Sequence, residues 1–399
     1  MGGLRGGAAI VGVAEFAPER KPERQFMGIE GYAELARLAL DDAGLSIRDV
    51  DGILTGHNLQ EAQMFIPATL IEYMGFESHF SETLDLGGAT GAGAVLRAAM
   101  AIEAGLCETC LCIVTTLRHR PNPNYQPGAR GMSDWGGGVW GSPQAEFEIP
   151  FGAVQGTYGY AMIANRYKHE YGLTYEQLAK IAVDQRTNAL ANPKAVFRNT
   201  PITIEDVVNS PMVCDPLHLL EIVMPCSGGA AVVVTSKEKA RQAKNRPAFV
   251  VGGGENTTHR SVTYEPDFTH SPIKSAADRA WAMSGLKPAD IDMASLYDCY
   301  TITVLLTLED AGFCAKGDGP KFVEAHDLTY KGDFPMNTHG GQLSFGQSGL
   351  AGGMSHVTEA ALQIFGHAGD RQLKRCDTVF VNGNGGIMSE QVSLILRGE

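Results

Sequence analysis

A short pattern that occurs twice constrains the fold of this chain more than any other feature. Its two copies occupy residues 39–51 and 280–292. Gly44 matches Gly285 and Asp51 matches Asp292, at one separation of 241 residues (285 − 44 and 292 − 51). Each copy is typical of a helix end, a glycine stop and a lead into an apolar strand. The chain is therefore predicted to be a duplicated α/β unit, with its chemistry where the halves meet.

The duplication predicts two halves, residues 1–246 and residues 247–399. The first half includes a long insertion at about 117–190, which begins as a loop or lid rich in Pro, Gly and aromatic residues. A buried strand that ends at Val234 is expected to close the first half. Periodicity further predicts helices over 28–42, 91–104, 159–171, 174–190, 274–284, 302–312 and 353–365, and strands near 8–13, 50–55, 110–116, 248–252, 291–297 and 378–382.

Composition excludes several classes of function. The formal net charge of −13 argues against nucleic acid or an anionic membrane as the main partner. No apolar run reaches the length of a membrane span and no signal peptide precedes the first strand, so a cytoplasmic protein is expected. Cys107, Cys110 and Cys112 form the one cysteine cluster. It lacks a second pair, so core cysteines are expected rather than a metal site.

Three segments carry residues suited to chemistry. The first, 84–93, combines small residues with a helix N-terminus, which favours an oxyanion site or, equally, close helix packing. The second, 296–301, crowds a Tyr, an Asp and a Cys onto one strand end, although a core-and-cap role is the alternative. The third, 335–349, is polar and punctuated by glycine, and leads directly into a predicted buried helix.

These segments, in this order on a duplicated α/β fold, resemble the thiolase superfamily. The similarity is greatest to sterol-carrier-protein-type thiolases and to thiolase-like acyl-CoA lyases of steroid side-chain breakdown. It implies a layered α/β/α/β/α arrangement of βαβαβ-type halves and a coenzyme A thioester as substrate. It implies neither a bound cofactor nor a metal.

The sequence departs from the thiolase pattern at the catalytic positions. The position of the nucleophilic Cys falls on Gly88, which cannot carry an acyl group. The His-Asp-Cys-Phe motif of the second segment reads Tyr297-Asp298-Cys299-Tyr300, and the His of Gly-His-Pro is Gln347. The C-terminal Cys-x-Gly motif reads Gly-Asn-Gly and ends at Gly385. A thiolase cycle through an acyl-cysteine in the first segment is therefore not expected.

The remaining groups favour a retro-aldol reaction, in which a bond between the α and β carbons of an acyl-CoA breaks or forms through an enolate. Tyr297 would take the β-hydroxyl proton, Cys299 would protonate the α carbon, and N–H groups around Gly88 or Gly385 would hold the thioester oxygen. The resemblance adds further site residues. They are His339 and Gln347 as catalytic residues, and Asp298 and Gly340 in coenzyme A or substrate binding.

Two alternatives stay open: a thiolase or acyltransferase that uses another Cys, and a non-catalytic scaffold or lipid-carrying subunit. Thiolases pair strands between subunits, which predicts a homodimer with strand 110–116 as the candidate contact. The related lyases imply a second partner, a small OB-fold zinc-ribbon protein of the DUF35 type. The insertion near 117–160 is its expected contact.

Overall fold

The computed structural model describes residues 4, 6–23, 27–59, 61–62, 64–117, 141–153 and 156–399. The strands are β1 Ala8–Glu15, β2 Gly52–Gly56, β3 Phe80–Leu84, β4 Thr109–Thr116, β5 Met212–Cys214, β6 Leu217–His218, β7 Gly228–Ser236, β8 Ala248–Thr257, β9 Met293–Leu296, β10 Thr378–Gly385 and β11 Glu390–Gly398. The α-helices are α1 Gly28–Ala43, α2 Ile66–Met74, α3 Thr90–Glu103, α4 Gly156–Tyr171, α5 Tyr175–Leu190, α6 Ile204–Val208, α7 Lys237–Ala240, α8 Ile273–Ser284, α9 Thr301–Asp310, α10 Gly319–Ala325 and α11 Ala351–Phe365.

The strand order confirms the duplication. Nine strands follow one another as β3-β2-β4-β7-β1-β8-β11-β10-β9. Read inward from its two ends, the sheet gives β2-β4-β7-β1 in the first half and β9-β10-β11-β8 in the second, so these strands correspond in order. The counterpart of β3 in the second half is reduced to one bridge between Ala294 and Met336. The halves join through β1 and β8, which pair over two residues of each strand.

The repeated pattern has the same structural role in both halves. Gly44 ends α1 at φ 72° and Gly285 ends α8 at φ 71°, a left-handed conformation that glycine adopts without strain. The Asp51 carboxylate accepts the backbone N–H groups of residues 108 and 109, where β4 begins. Asp292 does the same for residues 377 and 378 at the start of β10.

The layers are those that the sequence predicts. Helices α3 and α11 lie against each other in the middle, and each contacts strands of both halves. Helix α1 covers the outer face of the first half, and α8 covers β8 and β11 of the second. Almost every residue of α11 is buried, because sheet lies on both sides of it. The active-site loops at the start of α3 and α11 are therefore held in the centre of the molecule.

Two sequence predictions are wrong in detail. The structure adds helices α2, α6, α7 and α10 and strands β3, β5, β6 and β11, which the periodicity analysis missed. Strand β4, the predicted subunit contact, pairs with β2 along one edge and β7 along the other, so no edge remains for a partner. Among the described residues the free edge at this end of the sheet is β3, whose side chains alternate between exposed and partly buried. An alternating strand on an open edge gives a weaker hydrophobic signal than β4.

The insertion packs on the second half. Helix α4 contacts α9, and α5 contacts α9 and α10. The stretch 141–153 is held by Glu148, which accepts hydrogen bonds from Tyr158, Ser261 and Thr263. Residues 118–140, 154 and 155 of the predicted lid lie outside the described residues. No helix in the described part of the chain is long and apolar enough to cross a membrane.

Candidate active site

The structure brings the first two predicted segments into contact. Gly88 lies just before α3, and Tyr297 follows the last residue of β9. A Cβ atom on Gly88 would overlap the Tyr297 hydroxyl and lie 2.5 Å from the Asn384 carbonyl oxygen. Gly385, at the end of β10, is equally close to this loop, since a Cβ there would overlap the carbonyl oxygen of Leu86. Both predicted oxyanion glycines therefore lie where the loop before α3 meets the end of β10, and Gly88 is in contact with Tyr297.

Glycines of the first segment also confirm the packing alternative. A Cβ on Gly91 would lie 2.5 Å from the backbone nitrogen of Met354 in α11. Gly91 therefore allows α3 and α11 to approach each other. Within this segment, Gly91 faces the neighbouring helix and Gly88 faces Tyr297.

Tyr297 is the buried phenol at the centre of the site. It is 3% exposed, and the side-chain amides of Gln347 and Gln342 lie close enough to its hydroxyl to lower its pKa. Burial raises the pKa of the phenol well above its ordinary value of 10, and nearby Cys299 adds to the rise; the two glutamines oppose it. The phenol is therefore neutral at pH 7, with two amides placed to stabilise a negative oxygen.

Cys299 lies two residues further, beside Tyr160 and Asn384. Burial raises the pKa of the thiol to about 12, and the hydrogen bond with Tyr160 opposes this rise. Asn384 Nδ2 lies 3.9 Å from the sulfur and 3.0 Å from the Tyr160 hydroxyl. Tyr160 in turn donates to the Gly386 carbonyl at 2.7 Å. A protonated, hydrogen-bonded thiol is suited to donate a proton and poorly suited to act as a nucleophile.

Asp298 anchors the third segment. Its carboxylate accepts the backbone N–H groups of Gln342 at 2.7 Å and Leu343 at 3.3 Å. A Cβ on Gly341 would overlap the same carboxylate, which explains a glycine there. These bonds hold the helical turn Gly341–Phe345 against the end of β9.

Among the other predicted residues, Gln347 lies at the site, while Gly340 and His339 lie behind it. Gly340, at φ 110°, packs on Ala189 of α5. The His339 ring is buried against Phe345 and His356, with centroids 5.3 and 5.1 Å away. Neither of its ring nitrogens has a hydrogen-bond partner among the described residues. Burial, with His356 nearby, lowers the pKa of His339 to about 3, so the ring is neutral.

Sequence analysis missed four polar residues of the site. They are Tyr160, Gln342, His356 and Asn384. Gln342 and Asn384 stand inside the motifs that the analysis identified, at positions to which it gave no role. His356 lies in α11 among other buried polar residues, such as Ser355 and Glu359, so no sequence signal singled it out. Tyr160 comes from the insertion, and no sequence pattern links it to Cys299.

No group of three or more potential metal ligands occurs among the described residues. The eight cysteines are free, and Cys107, Cys110 and Cys112 are buried in the core formed by α3 and β4.

Comparison with known proteins agrees with this geometry. Residues 20–218 match the family "Thiolase, N-terminal domain", and residues 254–398 match "Thiolase C-terminal domain-like". The chain is 35% identical to the steroid side-chain-cleaving aldolase of Thermomonospora curvata over 92% of each chain. It is 33% identical to the 17-hydroxy-3-oxo-4-pregnene-20-carboxyl-CoA lyase of Mycobacterium tuberculosis, over 91% of this chain and 92% of the lyase.

A solved structure described as an Ltp2-ChsH2(DUF35) aldolase superposes with a TM-score of 0.86 at 32% identity, covering 99% of this chain and 98% of the other. Human mitochondrial 3-ketoacyl-CoA thiolase shares the fold, with a TM-score of 0.68 at 16% identity over 99% of each chain. The matched families, the full-length relatives and the shared architecture lead to one assignment: this chain belongs to the thiolase family.

Proposed function

We propose that the protein is an acyl-CoA carbon–carbon lyase that cleaves a β-hydroxyacyl-CoA by a retro-aldol reaction without an acyl-cysteine intermediate. The position of Gly88 against the Tyr297 hydroxyl supports this most strongly, because a phenol stands where a thiolase thiolate would need room. The two relatives that are 33–35% identical carry the names of a lyase and an aldolase. A polycyclic acyl group is therefore the first substrate class to test.

The proposed reaction balances through two proton transfers. Tyr297, as the phenolate, accepts the β-hydroxyl proton while the bond between the α and β carbons breaks and a carbonyl forms at the β carbon. The electron pair of that bond becomes an enolate of the acyl-CoA, whose oxygen would accept N–H groups near Gly88 or Gly385. Cys299 then gives its proton to the α carbon. The thiol pKa of about 12 keeps this proton in place until the enolate forms. The proton that Tyr297 gained is released to solvent and the thiolate regains one from solvent, so both groups return to their starting states.

Mass spectrometry during turnover tests the absence of a covalent intermediate. The protein is incubated with a β-hydroxyacyl-CoA, quenched in acid and measured intact. We expect carbonyl product and shortened acyl-CoA without added mass on the protein. An acyl group on any cysteine that forms and decays at the rate of turnover would favour the alternative, a thiolase or acyltransferase using another Cys. If several classes of acyl-CoA give neither turnover nor acylation of the protein, the scaffold alternative is favoured.

Cys299→Ser is predicted to slow cleavage by roughly 10²-fold or more while leaving binding of a non-cleavable CoA thioester unchanged. A hydroxyl is a far weaker acid than a thiol, so proton delivery to the α carbon suffers more than recognition. Steady-state kinetics and calorimetric titration measure the two quantities. Cys226→Ser is the matched control, because its sulfur donates to the Met224 carbonyl at 3.2 Å and has no role in the proposed reaction. If Cys226→Ser lost turnover while Cys299→Ser stayed active, the assignment of Cys299 as the proton donor would be contradicted.

His339 and Gly340 keep supporting roles in the proposal. A neutral, buried His339 cannot act as an acid near pH 7, and we propose that its ring orients the third segment through its packing on His356. Gly340 would hold this segment against α5, close to the bound thioester. Gln347 would assist Tyr297 by donating to its hydroxyl, and Asp298 would hold the binding loop.

We propose that two copies form a homodimer in the cytoplasm through the edge of β3. Exposed apolar side chains stand near this edge, since Phe65, 76% exposed, precedes the helix α2 that packs on β3. Light scattering should give a dimer mass. Phe65→Asn is expected to shift it toward the monomer without lowering the melting temperature, because Phe65 has φ 58° and asparagine tolerates that conformation better. A monomeric wild-type protein would contradict this proposal.

A DUF35-type protein is the proposed second partner, because a similar solved structure bears that name. Phe147 and Phe151 of the insertion are 57% and 86% exposed, and Tyr264 is 61% exposed. These three aromatic side chains are the proposed docking surface. Co-expression with a DUF35 protein should give a co-purifying complex that Phe151→Ser weakens.

A further inference from the structure

We propose that Asn384 stabilises the Cys299 thiolate with a side-chain N–H, and that Gln391 is the positioning residue that aims this N–H. This role presupposes that Cys299 is the proton donor of the proposed function. Asn384 Nδ2 lies 3.9 Å from the Cys299 sulfur, a long contact because a neutral thiol is a weak acceptor. When the proton leaves, the sulfur becomes an anion in a buried site. An N–H that already points at it then forms a charge-assisted hydrogen bond.

Asn384 belongs to a row of polar side chains on one face of strands β10 and β11. It lies opposite Gln391 across the two strands, and Asn382 lies opposite Ser393. Side chains that are opposite each other on antiparallel strands point to the same side of the sheet, as do residues two apart on one strand. All four side chains are at most 2% exposed. A buried amide without a hydrogen-bond partner costs free energy, so each of these groups needs a polar neighbour.

The four side chains form one directed chain of hydrogen bonds. The Ser393 hydroxyl donates to Asn382 Oδ1 at 2.8 Å, and Asn382 Nδ2 donates to Gln391 Oε1 at 3.0 Å. Gln391 Nε2 then donates to Asn384 Oδ1 at 2.7 Å. Because Gln391 holds the oxygen of Asn384, the nitrogen of Asn384 faces the other way, into the active site. A buried network in which every amide is paired holds its members rigidly.

Tyr160 fixes the direction of this chain. A reversed chain, with every amide turned over, would present the Asn384 oxygen to Tyr160 and to Cys299. The phenol has one hydrogen, which it donates to the Gly386 carbonyl at 2.7 Å, so its oxygen accepts from Asn384, 3.0 Å away. The atom of Asn384 that faces Tyr160 is therefore the nitrogen. Its second N–H is left for the sulfur, where it opposes the burial that raises the pKa of Cys299 to about 12.

A double-mutant cycle separates positioning from packing. Asn384→Leu removes the N–H, so we expect kcat for cleavage to fall about 10- to 100-fold with KM little changed, the range for a hydrogen bond to a charged group. Gln391→Met removes the donor that aims Asn384 and should lower kcat about 10-fold. The double variant should lose no more than Asn384→Leu, because Gln391 then has no amide to aim. Additive losses, or a wild-type rate in Asn384→Leu, would overturn the proposal.

Asn245→Leu controls for the loss of a buried amide. Asn245 is also buried, and its Nδ2 donates at 3.0 Å to the Val11 carbonyl and to the Asp42 carboxylate, which have no part in the proposed reaction. The variant should have a lower melting temperature and keep the cleavage rate. If its rate falls as far as that of Gln391→Met, the loss of any buried amide explains the effect and positioning is excluded.

A measurement independent of catalysis separates this proposal from the proposed function. In protein labelled with ¹⁵N-asparagine, the side-chain amide of Asn384 is assigned as the signal lost in Asn384→Leu. We expect its hydrogens to be protected from exchange in the wild type and to exchange faster in Gln391→Met, and its signal to shift in Cys299→Ala. These results in a protein that cleaves no acyl-CoA would remove the proposed function and keep the positioning of Asn384. Unchanged protection in Gln391→Met, or an unshifted signal in Cys299→Ala, would remove the positioning and leave the proposed function standing.

Discussion

Tyr297→Phe is expected to lose cleavage activity by about 10²–10⁴-fold, the range typical of a lost acid–base group. The substitution removes one oxygen and little volume, so the ring still fills its place between Gly88 and His356. Binding of a non-cleavable CoA thioester and the melting temperature should therefore change little. Kinetics of the purified variant measure the rate. Tyr300→Phe is the matched control, because that hydroxyl meets Thr157 at 2.8 Å and has no role in the proposed proton transfers.

The same residue sets the expected pH dependence. The pKa of Tyr297 lies above its ordinary value, so the phenolate is a minor species at pH 7 and grows tenfold with each pH unit. If the phenolate accepts the β-hydroxyl proton, kcat for cleavage should rise through pH 7–9 in the wild type. The residual rate of Tyr297→Phe should lack that rise. A flat wild-type profile over this range would exclude the phenolate as the base.

Gly88→Ala is expected to abolish most activity even though it adds a single methyl group. That carbon would overlap the Tyr297 hydroxyl and approach the Asn384 carbonyl oxygen to 2.5 Å, so the phenol must leave its position. Overpacking of this kind typically lowers the free energy of unfolding by about 1–3 kcal/mol. In the protein that remains folded, we expect the cleavage rate to fall by roughly 10²-fold. Thermal melting and steady-state kinetics measure the two effects. For the same reason Gly88→Cys should not yield a thiolase.

Gly75→Ala controls for glycine replacement itself. Gly75 ends α2 at φ 74°, and a Cβ there meets nothing within 4 Å. This variant should lose stability because alanine disfavours that conformation, and should keep its rate because the site is untouched. If Gly88→Ala loses only as much activity as Gly75→Ala, the contact between Gly88 and Tyr297 does not matter for catalysis.

The sequence predicted the parts of the fold that local patterns specify. Gly44 and Gly285 stop helices by a conformation that only a few residues tolerate, and Asp51 and Asp292 stand at fixed positions after them. Strand β3 escaped because an alternating strand on an open edge carries few apolar residues, and β11 because its apolar residues alone do not say which strand they join. Strand β4 looked like an interface because an apolar sequence does not reveal how many neighbours a strand has.

For the site, the sequence indicated which motifs matter and left open what they contact. Tyr297, Cys299 and Gly88 were recognisable from motif positions, since each replaces or retains a thiolase catalytic residue. The meeting of Gln342 with His356 depends on how α11 packs beside β9, a long-range fact with no local signature. Tyr160 reaches Cys299 from the insertion for the same reason.

The burial of α3 and α11 has a consequence for the history of this chain. Each half contributes one of these two helices, and each helix is covered by the other half. A single half would expose that apolar helix to water, so it could not have been a stable monomer. An isolated half would need a second copy to cover this helix, as the other half does in this chain. In one fused chain the loops that precede these two helices can differ in sequence. Gly88 stands before α3, whereas Gln347 stands before α11.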